Sequence, residues 1–298
     1  MSATPNEFGA DCPGCPPRPP NRPPLPRSIS IIRPSAAFTL IELLVVIGII
    51  AVLAAMLLPA LISARATSQG LRCLSNTKQL AVGWLLYAND HDDRLPPNRP
   101  DAYGKFPSWA VGFEDWSLSP NNTNLVNLRG SNAVLSRYLD GNPDVFKCPS
   151  DQYLSPDQKR AGWSRRLRSY SMNGQIGAVN NPEYDYPDYQ RFMRLPDLAA
   201  MGPSKAFVFV DEHPDSINDS WFWVMMGSNA WCDLPGSYHN GGATFSFADG
   251  HAELKRWELG YSKQPVQFNT IFTRWQAEQP PSQLSDIRWV QDHTSIRK

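Results

Sequence analysis

The stretch Leu43-Leu44-Val45-Val46-Ile47-Gly48-Ile49-Ile50-Ala51-Val52-Leu53-Ala54-Ala55-Met56-Leu57-Leu58-Pro59-Ala60-Leu61-Ile62-Ser63-Ala64 holds no charged residue, and its reading decides the rest of the chain. As a helix rising about 1.5 Å per residue, these 22 residues cover about 33 Å, enough for a bilayer core of about 30 Å. The run is too long for the h-region of an ordinary secretory signal, about 7–15 residues. Arg65 closes it on one side, and Arg27 and Arg33 precede it on the other. Positive charge before a span places the N-terminus in the cytoplasm and the remainder of the chain on the far side. Glu42 is the anomaly. A carboxylate just inside an apolar span is costly and calls for a partner.

Upstream, residues 1–37 carry four arginines against Glu7 and Asp11, with proline pairs such as Pro16-Pro17 and Pro23-Pro24. Such a segment forms neither helix nor core and reads as an extended basic leader. Cys12 and Cys15 have half-site zinc spacing without a second pair, so they read as incidental. Downstream, Pro59 is expected to kink the helix. The helical pattern then continues to Asp90, with Leu71, Leu74, Lys78, Ala81, Leu85 and Ala88 on one stripe. Asn89-Asp90-His91-Asp92-Asp93 and Leu95-Pro96-Pro97 end it.

A small residue followed by Phe38-Thr39-Leu40-Ile41-Glu42 and an apolar run resembles the signature of type IV pilin-like prepilins, the pilins and type II secretion pseudopilins. The resemblance implies that a membrane aspartyl prepilin peptidase cuts between Ala37 and Phe38 and methylates the new amine. The family usually has Gly where Ala37 stands. The resemblance also implies that Glu42 pairs, in low dielectric, with the N-terminal amine of a neighbouring subunit. Such a pair is strong only when both partners are present. Its implied partners are the peptidase, other pilin or pseudopilin subunits and inner-membrane lipid.

The expected fold is α+β: a long N-terminal transmembrane and amphipathic helix packed on an antiparallel β-sheet domain. The expected segments are the cleaved leader 1–37, the helix 38–94 with its transmembrane half 38–62, and a periplasmic domain 95–298. Lys+Arg and Asp+Glu are equal at 28 each, which leaves no basic excess for nucleic acid. No small-molecule substrate is implied. Strands are expected at Phe146–Cys148, from Arg168, at Ala206–Asp211, at Trp221–Met226, and at Thr244–Phe247 returning through His251–Trp257. Asp249-Gly250 reads as a two-residue type I′ turn. Arg165, Arg166 and Arg168 read as a solvated face. The tail, with Trp275, reads as draping over the sheet with a short helix.

His239, nine intervening residues and Asp249-Gly250 resemble the H-X9-DG motif of prepilin-like proteins of planctomycetes and verrucomicrobia. Its residues admit three readings. His239 caps the hairpin by bonding backbone carbonyls; or Asp211, Glu212, His239 and Asp249 hold an ion, calcium being the one oxygen ligands suit; or His239 and Asp211 act as acid and base. No Gly-x-Ser-x-Gly elbow, phosphate loop or HExxH supports an enzyme. Cys73 on the long helix and Cys148 beside a turn are the expected disulfide, leaving Cys232 over. The leading functional reading is a non-enzymatic filament subunit without a cofactor. The alternative is a membrane-tethered polysaccharide- or ligand-binding module, which exposed coplanar tryptophans would favour.

Overall fold

A computed structural model describes residues 39–99, 105–177, 186–269 and 278–298. The leader with Cys12 and Cys15, the expected cut at Ala37 and Phe38, and Trp275 lie outside the described residues. The chain divides into two compact units between Leu53 and Ala54. Helix α1 (Leu40–Asp90) is 51 residues long and continues through Pro59. Its described side chains up to Leu61 are all exposed, as an apolar surface facing lipid would be. It stops where Asp92 and Asp93 take positive φ of 54° and 62°. There the Asp93 N–H returns to the Ala88 carbonyl at 2.9 Å, satisfying one of the orphan acceptors of the last turn.

In the second half of α1 the buried positions are Gly70, Cys73, Thr77, Leu80, Ala81, Gly83, Trp84 and Ala88. The spacing is helical, but the stripe is rotated from the expected one: Leu71 is 63% exposed and Lys78 is exposed. The reason is chemical. The facing surface is partly polar, so the seam uses small and hydroxyl residues that an apolar pattern passes over. Thr77 Oγ1 and Thr244 Oγ1 lie 2.9 Å apart, and the Tyr170 hydroxyl donates to the Cys73 carbonyl at 3.3 Å.

The short helices α2 (Val126–Arg129) and α3 (Pro156–Arg160) precede β1 (Tyr170–Asn173), β2 (Phe207–Asp211), β3 (Trp221–Phe222), β4 (Gly242–Phe247) and β5 (Ala252–Arg256); α4 (Ser285–Thr294) closes the chain. The strand order is β3-β1-β2-β4-β5. The fold is α+β, but the sheet is mixed rather than antiparallel: β3 runs parallel to β1, pairing Met172 with Trp221 and Asn173 with Phe222. The connection 212–220 carries the chain from β2 across the end of β1 to its outer edge, and that crossover sets the direction. Pro143–Phe146 is a 3-10 turn, and no strand follows it at Cys148.

Both faces of the sheet are covered, so the central strand β2 is buried throughout. On one face Val208 and Phe209 join Cys73, Leu80 and Trp84 of α1, with Trp109, Phe146 and Met172. On the other, Phe207, Val210, Phe245 and Phe247 join Ile287 and Val290 of α4. A register shift against β4 between Phe207 and Phe209 lets two consecutive residues, Val208 and Phe209, face the same core, as a β-bulge does. In β4 strict alternation sends Ala243, Phe245 and Phe247 towards α4 and leaves Thr244 and Ser246 for the α1 side.

Because Trp84 is fully buried and Leu71 is not, Trp84→Ala is expected to cost about 3–5 kcal/mol and Leu71→Ala less than about 0.5 kcal/mol. Urea denaturation of the detergent-solubilised chain checks both; equal effects would restore the stripe expected from periodicity.

Candidate functional site

At the start of α1, Thr39 and Glu42 close on each other. The Thr39 N–H and hydroxyl donate to Glu42 Oε2 at 2.9 and 2.8 Å, and the Glu42 N–H donates to Thr39 Oγ1 at 3.2 Å. This is a capping box, with Thr39 at N-cap and Glu42 three residues on. The Thr-x-x-Glu spacing was legible in the sequence, and the carboxylate's local partner was the part sequence reasoning missed. The acid is thus held at the positive end of the helix dipole, at a fixed place.

Within the second unit, Cys73 and Cys148 form a disulfide with S–S 2.07 Å across a sequence separation of 75. Cys232 is buried and is not disulfide-bonded. His239 lies against this bridge: its Nε2 is 3.5 Å from Cys148 Sγ and 3.0 Å from Asp211 Oδ2. Asp211 Oδ1 accepts the Thr244 N–H at 2.7 Å. Burial pushes the Asp211 carboxyl up, opposed by its bonds to His239 and Thr244. The imidazole fits because Gly70 faces it: a Cβ there would lie 3.4 Å from Nδ1.

His239 thus donates its backbone N–H to the Gly242 carbonyl at the start of β4, at 3.3 Å, while its ring bonds the Asp211 carboxylate. The oxygen set Asp211, Glu212 and Asp249 does not converge. Consecutive strand positions point to opposite faces: Asp211 turns to His239, and Glu212 to the hydroxyls of Ser171 and Ser216 at 2.5 and 2.6 Å. Asp249 lies at the far end of β4, where it accepts the His251 N–H at 3.0 Å. Among the described residues, the ligand-type side chains that meet are Cys73, Cys148 and His239.

The Asp249-Gly250 turn differs from the expected type. Type I′ needs positive φ at both central residues, and here Gly250 alone has it, at 88°. Gly250 N–H donates to Phe247 O and Phe247 N–H to His251 O, both at 2.9 Å. That is a three-residue loop, a type I turn with a left-handed glycine.

The arginine run is not a solvated face. Arg165 pairs with Asp144 at the surface, 2.5 Å apart. Arg166 and Arg168 are buried; Arg166 stacks over Trp116 at 4.0 Å, and Arg168 lies 3.9 Å from Glu114. Alternation leading into β1 turns positions 166 and 168 inward together. Beside them the buried Lys147 and Asp151 pair at 2.5 Å. Burial raises Asp151, yet Lys147 and Arg166 hold it below its ordinary value. Burial pushes Glu212 up to about 8 and Asp219 up to about 6.

Among the described residues the tryptophans form no exposed platform. Of the nine described, six are buried and Trp163, Trp223 and Trp289 are half-buried. Trp221 is buried, and Trp223 donates to the Tyr186 hydroxyl at 2.9 Å.

Residues 32–58 match the prokaryotic N-terminal methylation motif. The N-terminus thus carries a prepilin-type signal on the one helix, among the described residues, long and apolar enough to cross a membrane; its most apolar window has mean hydropathy 2.9 and no buried residue. Both are compatible with an inner-membrane anchor. No curated protein and no solved structure matches the chain.

A cross-link over 75 residues should stabilise the fold by about 2–5 kcal/mol. Cys73→Ser with Cys148→Ser is expected to lose that amount in chemical denaturation; an unchanged midpoint would show that packing alone holds α1. Glu212 binds its proton more tightly folded, at about 8, than unfolded, near 4.5. Its stabilising share is therefore complete below the unfolded value and is lost as pH rises through the folded one. The stability of the wild type relative to Glu212→Gln should fall between about pH 5 and about pH 8; a pH-independent difference would refute the assignment.

Proposed function

We propose that the chain is a non-enzymatic pilin-like or pseudopilin subunit. It is made as a prepilin, inserted with its N-terminus in the cytoplasm, and cut by prepilin peptidase between Ala37 and Phe38. It then joins a type IV pilus-like or type II secretion filament at the inner membrane, with 95–298 on the periplasmic side or displayed at the cell surface.

The observation that carries this reading is the methylation motif over residues 32–58, which runs into a helix whose described apolar side chains to Leu61 are exposed. An all-round apolar helix has no stable place in water and is suited to lipid and to copies of itself. The capping box adds a physical step. Thr39 holds the Glu42 carboxylate at the helix start, four positions from the amine that cleavage would create on Phe38. A neighbour's cationic amine then meets a preplaced acid. The domain with His239 and Asp249-Gly250 supplies the outer, H-X9-DG-like part of the subunit. No specific observation favours the polysaccharide-binding reading over this one.

Mass spectrometry of the protein from a host with prepilin peptidase should find N-methylated Phe38 as the first residue. Glu42→Ala should be cut and inserted but left out of filaments, while Glu42→Asp keeps part of the incorporation. An uncut leader, or wild-type incorporation of Glu42→Ala, would overturn the proposal.

A further inference from the structure

We propose that Cys73, Cys148, His239 and Asp211 form a zinc site in the reduced chain, so that the seam between α1 and the sheet can be closed either by a disulfide or by a metal ion. The donor atoms of Cys73, Cys148 and His239 already lie within 4.8 Å of one another, and all three residues are buried. Asp211 Oδ2 adds a fourth donor, 3.0 Å from His239 Nε2. The set comes from α1, the turn after Phe146, the end of β2 and the loop before β4, so no CxxC spacing announces it.

The geometry fits a metal better than a proton relay. A Cys-His-Asp relay uses one ring nitrogen for the thiol and the other for the carboxylate. Here His239 Nε2 faces both Cys148 Sγ and Asp211 Oδ2, and Nδ1 is buried with no hydrogen-bond partner. Coordination requires donor atoms gathered at one place, and the two sulfurs, Nε2 and Asp211 Oδ2 are gathered here. With Zn–S near 2.3 Å and Zn–N near 2.05 Å, tetrahedral sulfur and nitrogen ligands stand about 3.6 Å apart. The Cys148 Sγ to His239 Nε2 separation is 3.5 Å. The two sulfurs would have to part to about 3.8 Å. Two sulfurs, one imidazole and one carboxylate suit zinc, and a calcium ion poorly.

Metal loading requires prior reduction. A dithiol reductant gives two electrons and two protons: its sulfurs join in a disulfide, the Cys73–Cys148 bond breaks, and two thiols form. Zinc then displaces both thiol protons to solvent. The imidazole proton moves from Nε2 to Nδ1, freeing the Nε2 lone pair, and Asp211 exchanges its hydrogen bond for a metal bond.

The test uses the full chain in detergent micelles with Cys12→Ser and Cys15→Ser, which removes the leader's own thiols. Protein reduced with a phosphine, and oxidised protein, are each dialysed against zinc alone and against cobalt alone. The reduced form should retain one zinc per chain, melt higher with zinc than without, and show thiolate-to-cobalt charge transfer with tetrahedral d–d bands. The oxidised form should retain none. His239→Ala should abolish binding in the reduced state while its oxidised form still melts cooperatively, and Asp211→Asn should weaken binding at least tenfold. Failure of the reduced wild-type chain to bind, equal binding by the oxidised chain, or undiminished binding by His239→Ala would each overturn the proposal.

Discussion

The structure depends on one helix that meets two different surroundings along a single backbone. Up to Leu61 its described side chains are exposed all round, and from Gly70 a narrow stripe is buried to Ala88. In that stripe Leu80 and Trp84 bring most of the apolar area, and Gly70, Cys73, Thr77 and Gly83 bring little of it. What they bring is closeness. Small residues let the backbone approach the sheet, the Thr77 and Thr244 hydroxyls satisfy each other at 2.9 Å, and the Cys73–Cys148 bridge ties the helix to a segment 75 residues away.

That closeness explains why β4 can present hydroxyls to a core. Thr244 and Ser246 are as buried as Phe245 between them, and Thr244 is paired with α1. The same seam holds the Asp211–His239 pair against the disulfide. Around the end of β1, a second buried polar group gathers Glu114, Lys147, Asp151, Arg166 and Arg168. Only opposite charges in this group lower one another's cost, as Lys147 and Arg166 do for Asp151, and leaving one without its partner costs several kcal/mol, at about the scale of a broken buried pair.

Much of this was legible in the residue order. The apolar length of Leu43–Ala64, the stop at Asn89-Asp90, the β-branched strand at Phe207–Asp211 and the β4–β5 hairpin each rest on local rules of length, punctuation and alternation. The features that departed from expectation all depended on what lay opposite. The helix stripe shifted because its neighbour is polar. Arg166 and Arg168 turned inward because Trp116 and Glu114 come from elsewhere in the chain. Asp249 left the ion set because β4 places it at the opposite end of the strand from Asp211.

Contiguous residues are enough to specify one long apolar helix with an acid at its start, a prepilin-type signal around it and an α+β domain after it. The parallel edge strand, the seam on α1, and the meeting of Cys73, Cys148, His239 and Asp211 arise only when the chain is folded. Those four groups lie on segments far apart along the chain, and no local periodicity encodes a distance that the packing of a sheet against a helix alone sets.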